Sequence, residues 1–208
     1  MNIDALMRTS PVIPVLVVED AREAVPLAEA LVEGGLKVLE VTLRTPAAVE
    51  VIRAMTSVEG AIVGAGTVLN PRDLDTALGA GSQFIVSPGL TEPLGRAAVD
   101  AGAPFLPGVA NAADIMRGLD LGLDRFKFFP AEAAGGVKAL KSLTGPFGNV
   151  RFCPTGGVSL ANMADWLAIP QVLCVGGSWL YAKGAVDRAQ VTAAASAAAQ
   201  AARAARPT

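Results

Sequence analysis

Short β-branched runs recur along this chain, separated by stretches with helical spacing. The runs 12–18 (VIPVLVV), 38–44 (VLEVTLR), 61–67 (AIVGAGT) and 84–89 (FIVSPG) read as strands, and so do 105–110 (FLPGVA), 125–130 (RFKFFP), 150–156 (VRFCPTG) and 172–178 (VLCVGGS). Their starts fall roughly 20 to 26 residues apart, the repeat of a βα unit. The segments between, such as AREAVPLAEALVEGG and NPRDLDTALGAG, carry apolar residues at helical intervals and end at glycine. Gly34–Gly35, Gly79 and Gly102 fit helix C-terminal caps. Eight such alternations predict an α/β protein, a (β/α)8 TIM barrel forming a single domain over residues 1–208. A doubly wound open sheet is the alternative, but units of similar length favour closure. The opening IDALMRTS predicts a short N-terminal helix at the barrel's bottom. The Ala-rich VTAAASAAAQAARAAR predicts the last barrel helix, ended by Pro207.

Side chains alternate between the faces of a strand. In the second strand Leu39, Val41 and Leu43 form the apolar set that meets helices. Glu40, Thr42 and Arg44 then point into the barrel, an unusual lining for an interior normally filled with Val, Ile and Leu. The plain reading is a buried Glu–Arg pair, or Arg44 reaching solvent at the strand end; the functional reading is a site. The sixth strand repeats the pattern, with Phe126 and Phe128 outward and Lys127 and Phe129 inward. Lys127 lies near the C-terminal end of its strand, the face where such barrels do their chemistry. It either snorkels to solvent or is held as a neutral amine, since an ammonium in an apolar strand costs several kcal/mol unless paired.

Composition narrows the chemistry. With 52% hydrophobic residues and a formal charge of −2, the chain can bury one sizeable core. It offers no electrostatic case for nucleic acid or an anionic membrane as partner. No secretory signal is evident, and no apolar run approaches the roughly 18 to 20 residues that span a bilayer. Cys153 and Cys174 are too few for a disulfide framework and read as buried thiols in a reducing cytoplasm. Histidine is absent, which removes Ser-His-Asp and Cys-His catalysis and every metal site that depends on imidazole. A neutral lysine can attack a carbonyl to form a Schiff base, whose iminium draws electrons from a neighbouring carbon–carbon bond. Glu40 can move the protons and Arg44 can fork a carboxylate. The set suits a keto-acid aldolase that needs no metal and no cofactor.

Glycine pairs follow the last two strands, in PTGGVS (154–159) and VGGSWL (175–180). There backbone N–H groups and the next helix N-terminus could hold a phosphate.

The stretches EVTLRTP, GAGTVLNP, SPGLTEP, FKFFPAEAAGGVKALKSLTGPF, RFCPTGG and GGSWL together closely resemble the bacterial 2-keto-3-deoxy-6-phosphogluconate (KDPG) and 4-hydroxy-2-oxoglutarate aldolase family, in register over about residues 11 to 181. The resemblance implies a metal-independent, homotrimeric barrel lyase of the Entner–Doudoroff pathway. It would cleave 2-dehydro-3-deoxy-6-phosphogluconate to pyruvate and glyceraldehyde 3-phosphate, with a 4-hydroxy-2-oxoglutarate side activity. By the same resemblance Lys127 is the Schiff-base lysine, Glu40 the proton-transfer residue, and Arg44 and Thr67 the ligands of the pyruvate moiety. Phe129 and Pro88 pack around the imine, Thr155 controls stereochemistry, and Gly156, Gly157, Gly177 and Ser178 bind the phosphate. Family members often carry Ser-Thr where this chain has Ala110–Asn111. Two alternatives stand beside this reading: an aldolase for the 6-phosphogalactonate epimer, and a barrel that binds phosphorylated metabolites without turnover.

Overall fold

The computed structural model describes residues 1–182, 184 and 186–205. After a first helix, α1 (Ile3–Thr9), parallel strands alternate with helices: β1 (Val12–Leu16), α2 (Ala24–Glu33), β2 (Val38–Thr42), α3 (Ala48–Met55), β3 (Ile62–Gly66), α4 (Pro71–Gly79), β4 (Ile85–Val86) and α5 (Glu92–Asp100). The second half adds β5 (Phe105–Leu106), β6 (Gly108–Val109), α6 (Ala112–Asp120), β7 (Arg125–Phe128), α7 (Gly136–Thr144), β8 (Arg151–Pro154), α8 (Met163–Leu167), β9 (Val175–Gly177) and α9 (Arg188–Ala204). β5 and β6 are two halves of one stave, interrupted at Pro107, whose ring has no N–H to give a ladder.

One run of hydrogen-bonded strands is β5-β4-β3-β2-β1-β9 and the other is β6-β7-β8. Parallel bridges Phe152↔Val172 and Thr155↔Gly176 join β8 to the last stave. With β5 and β6 continuous through Pro107, the eight staves close into a (β/α)8 barrel, and the open-sheet alternative is set aside.

Several expected strands are shorter than the apolar runs, because the chain leaves the ladder before the mouth of the barrel. Residues 84–89 contribute only Ile85–Val86, and the second strand stops at Thr42, which leaves Arg44 in a turn. At the helix ends, Gly35 (φ 93°) and Gly102 (φ 62°) take the left-handed conformation. Gly79 does not: it is the last residue of α4, and Gly81 (φ 94°) makes that turn. The expected stop at Pro207 lies outside the described residues, which carry α9 to Ala204.

Both faces of each central strand are buried, as parallel sheets require. Outward residues, among them Leu16, Leu39, Val41, Phe126, Phe128 and Phe152, pack against the helices in one large core. Inward residues Ile13, Val38, Phe84, Val86, Leu106, Cys153 and Leu173 form a second core inside the barrel. Leu6 and Met7 of α1 complete that inner core, so the N-terminal helix plugs the end where the strands begin. Burying each of these large side chains is worth about 1.5–3 kcal/mol. α1 is pinned by its cap, Asn2 accepting from the Ala5 N–H, and by Arg125 at the start of β7, whose Nε lies 2.6 Å from Asp4 Oδ1. Among the described residues no helix is long and apolar enough to cross a membrane.

Helix caps shape the opposite end. Asn70 caps α4 by accepting from Asp73 N, and Asp73 reaches back to accept from Leu69 N at 2.9 Å. Asn111 and Asp114 repeat the arrangement at α6, with Ala110 N donating to Asp114 at 3.0 Å. These reciprocal boxes satisfy donors that a helix start otherwise leaves open.

Candidate active site

Lys127 comes from β7 and Glu40 from β2, on opposite sides of the barrel and 87 residues apart in sequence. Phe126 and Phe128 are fully buried against the helices, so alternation turns Lys127 inward, as the sequence pattern predicts. On β2, Leu39 and Val41 likewise face the helices and turn Glu40 inward. The two side chains meet: Lys127 Nζ donates to Glu40 Oε1 at 3.1 Å, with Oε2 at 3.4 Å. Lys127 is 5% exposed and Glu40 3%, so this is a desolvated pair rather than a surface bridge. The lysine that lacked an acidic neighbour in its own strand receives one from across the barrel. Lys127 therefore does not snorkel, and Glu40 pairs with it and not with Arg44.

The surroundings are mostly apolar and close. Nζ stands 5.3 Å from the centre of the Phe129 ring, near enough for the ring face to attract a cation. Gly66 of β3 has no side chain where Glu40 needs room; a Cβ there would overlap the carboxylate. Directly after it, Thr67 holds φ 60°, the one described non-glycine residue with positive φ. For a β-branched residue that conformation costs about 1–3 kcal/mol and is found where function requires it. Thr42 donates to the Leu16 carbonyl at 2.9 Å and accepts from Arg44 Nε at 3.2 Å. Arg44 itself is exposed in the turn beyond β2, not inside the barrel, tethered over the strand end by that bond. Pro88 lies half-buried past the end of β4.

On the β8 side, Thr155 is 6% exposed and lies beside Gly176, whose Cβ would overlap its hydroxyl. The Thr155↔Gly176 bridge sets Gly156–Gly157 next to Gly177 and the exposed Ser178. Gly156 and Gly157 have φ of 100° and 78°, a conformation open to glycine at little cost. Among the described residues no helix starts directly after either pair, as the expected dipole would require: α8 is five residues long and starts at Met163, and α9 starts at Arg188. Among the described residues no cluster of three or more Cys, Asp or Glu is placed to hold a metal ion.

A buried amine touching a carboxylate, at the open end of a barrel, can form an imine and shuttle its protons. The family model for KDPG and KHG aldolases matches residues 3–196 of this chain. The chain belongs to the KDPG and KHG aldolase family. It is 61% identical over 192 residues to the 2-dehydro-3-deoxy-phosphogluconate aldolase of Zymomonas mobilis, covering 92% of each chain. The crystal structure of the Z. mobilis aldolase with 3-phosphoglycerate superposes with a TM-score of 0.93 at 60% identity, over 95% of this chain and 94% of the other. A KDPG aldolase from Legionella pneumophila, solved with pyruvate captured as a covalent carbinolamine, gives a TM-score of 0.87 at 41% identity, over 100% of this chain and 99% of the other.

Beside this aldolase-family site stand residues that the sequence pattern passed over. Glu132, Asn162 and Trp166 form a hydrogen-bonded group against the Gly156–Gly157 turn. Glu132 and Asn162 stand in loops, where no periodicity marks them, and Trp166 reads as an ordinary helix core residue.

Proposed function

We propose that this protein is a Schiff-base aldolase that cleaves 2-dehydro-3-deoxy-6-phosphogluconate to pyruvate and glyceraldehyde 3-phosphate. The observation that carries the reading is the buried Lys127–Glu40 contact at 3.1 Å. Lys127 gives a proton to Glu40, and the freed amine attacks the C2 ketone. Glu40 returns the proton to the carbinolamine hydroxyl, which leaves as water, and an iminium remains. Glu40 then takes the proton of the C4 hydroxyl as the C3–C4 bond breaks. That electron pair passes to the iminium, giving an enamine and free aldehyde. Protonation of the enamine at C3 and hydrolysis release pyruvate and restore the amine.

Arg44 and Thr67 hold the carboxylate and keto-acid end, and the arginine swings in from the mouth. Phe129 and Pro88 exclude water around the imine, and Thr155 selects the face on which the new bond forms. Gly156, Gly157, Gly177 and Ser178 hold the phosphate. The unphosphorylated 4-hydroxy-2-oxoglutarate, which lacks that anchor, is the smaller second substrate. The family likeness supports further expectations: a homotrimer, a cytoplasmic location and a place in the Entner–Doudoroff pathway.

The test is reductive trapping. The protein is incubated with pyruvate, reduced with borohydride and mapped by peptide mass spectrometry. The expected adduct is pyruvic acid less one oxygen, on Lys127; a folded protein with no adduct would overturn the imine.

A further inference from the structure

The turn at Gly156–Gly157 is bound to the segment after β7 through side chains that the reaction steps do not use. The backbone begins the link, with Ala131 N donating to the Thr155 carbonyl at 2.8 Å and Glu132 N to the Gly156 carbonyl at 3.0 Å. The Glu132 side chain continues it, its Oε1 accepting from Trp166 Nε1 at 3.1 Å and from Asn162 Nδ2 at 3.2 Å. Asn162 completes the ring by donating to the Gly157 carbonyl at 3.1 Å and accepting from Ser159 N at 2.8 Å. Gly157 lies flat against this group, since a Cβ on it would come within 2.6 Å of Glu132 Cγ. Trp166 is wholly buried and tilts against Phe128, the neighbour of Lys127, with ring centres 6.2 Å apart.

We propose that Glu132, acting through Asn162, is a positioning residue that fixes the Gly156–Gly157 turn in the shape that receives the substrate's phosphate. A carboxylate would repel a phosphate directly, so Glu132 does not act as its ligand. Its part is geometric. Both side-chain donors converge on one oxygen, an arrangement that an amide oxygen reproduces without the charge. The inference rests on the phosphate assignment made above. It adds that the turn depends on an acceptor at residue 132.

The experiment compares the wild type with Glu132→Ala and Glu132→Gln on the phosphorylated substrate and on 4-hydroxy-2-oxoglutarate, and titrates each with inorganic phosphate by calorimetry. Glu132→Ala should raise KM for the phosphorylated substrate roughly tenfold, the effect of losing one hydrogen bond that holds the turn. Its kcat should change little, 4-hydroxy-2-oxoglutarate should suffer less, and phosphate binding should weaken in step. Glu132→Gln should restore all of these. Equal losses on the two substrates, a fall in kcat at unchanged KM, or a Gln variant as poor as Ala would overturn the proposal. If Glu132→Ala fails to fold, Asn162→Ala cuts the same link and is read in the same way. A wild type without turnover on either substrate would refute the aldolase reading, and the phosphate titrations of the three proteins would then decide this one alone.

Discussion

The carboxylate of Glu40 occupies the space that a side chain on Gly66 would need, with a Cβ there falling within 2.7 Å of the carboxyl carbon. Glu40 therefore keeps its place only because residue 66 has no side chain. Gly66→Ala should push the carboxylate off the amine without removing either reacting group. We expect kcat to fall roughly 10²-fold, at the lower end of what a positioned acid/base supplies. Borohydride trapping should slow as well. Steady-state rates on the phosphorylated substrate are the check, and a Gly66→Ala enzyme of normal kcat would show that this packing does not matter.

Among the described residues, Lys127 and Glu40 pair with each other alone, and both are almost wholly buried. Removing one charge strands the other. Lys127→Met should therefore end cleavage and also lower unfolding stability by about 3–5 kcal/mol. Adding Glu40→Gln to that variant should recover most of the stability and none of the activity. Urea unfolding of the single and double variants measures this, and a double variant no more stable than the single would contradict it.

Glu40→Gln alone keeps the lysine and loses the proposed proton carrier. Turnover should drop by roughly 10²- to 10⁴-fold. The measurement is kcat beside the rate of imine trapping, and an unchanged kcat would make Glu40 a structural partner only.

Ser178 is exposed just past β9, beside the Gly156–Gly157 turn. Ser178→Ala should weaken phosphorylated substrates more than 4-hydroxy-2-oxoglutarate, by about 1.5–3 kcal/mol in kcat/KM for a hydrogen bond to a charged group. Equal losses on both would argue that Ser178 does not meet the phosphate.

Tyr181, on the loop after β9, turns its hydroxyl to Glu23, which ends the single 3-10 turn Ala21–Glu23 before α2, and lies 3.1 Å from the Gly184 carbonyl. Burial, and then the bond to Glu23, push its phenol from 10.0 up to about 12. A pKa raised by folding means that the contribution is full below the unfolded value and is lost as pH climbs from 10.0 toward 12. Relative to Tyr181→Phe, the wild type should lose stability across that interval and not below it. Urea midpoints of the two proteins over a pH series give the comparison, and parallel curves would contradict this.

Much of this was legible because the strands report their faces. Two phenylalanines around Lys127, and Leu39 and Val41 around Glu40, fix the direction of each charged side chain by alternation alone. The contact between the two was harder to foresee, since a residue pair 87 positions apart becomes visible only once the barrel closes. Arg44 shows the limit of alternation: it was counted with the strand, but the ladder ends at Thr42 and the guanidinium stands in solvent. The helix dipole expected at the glycine pairs failed for a related reason, because spacing does not reveal how long a loop runs before its helix begins. Glu132 and Asn162 carry no pattern at all, as their partners are set by loop geometry.

The apolar floor beneath Lys127, sealed by Leu6 and Met7, makes the barrel a well with one opening. Such a well dictates an order of traffic. On the proposed imine mechanism the pyruvate fragment, bound at the bottom through nitrogen, would sit beneath the aldehyde, so the aldehyde should depart first and the keto acid last. Run in reverse, pyruvate must enter before its partner, and excess aldehyde should inhibit by occupying the shaft above an empty amine.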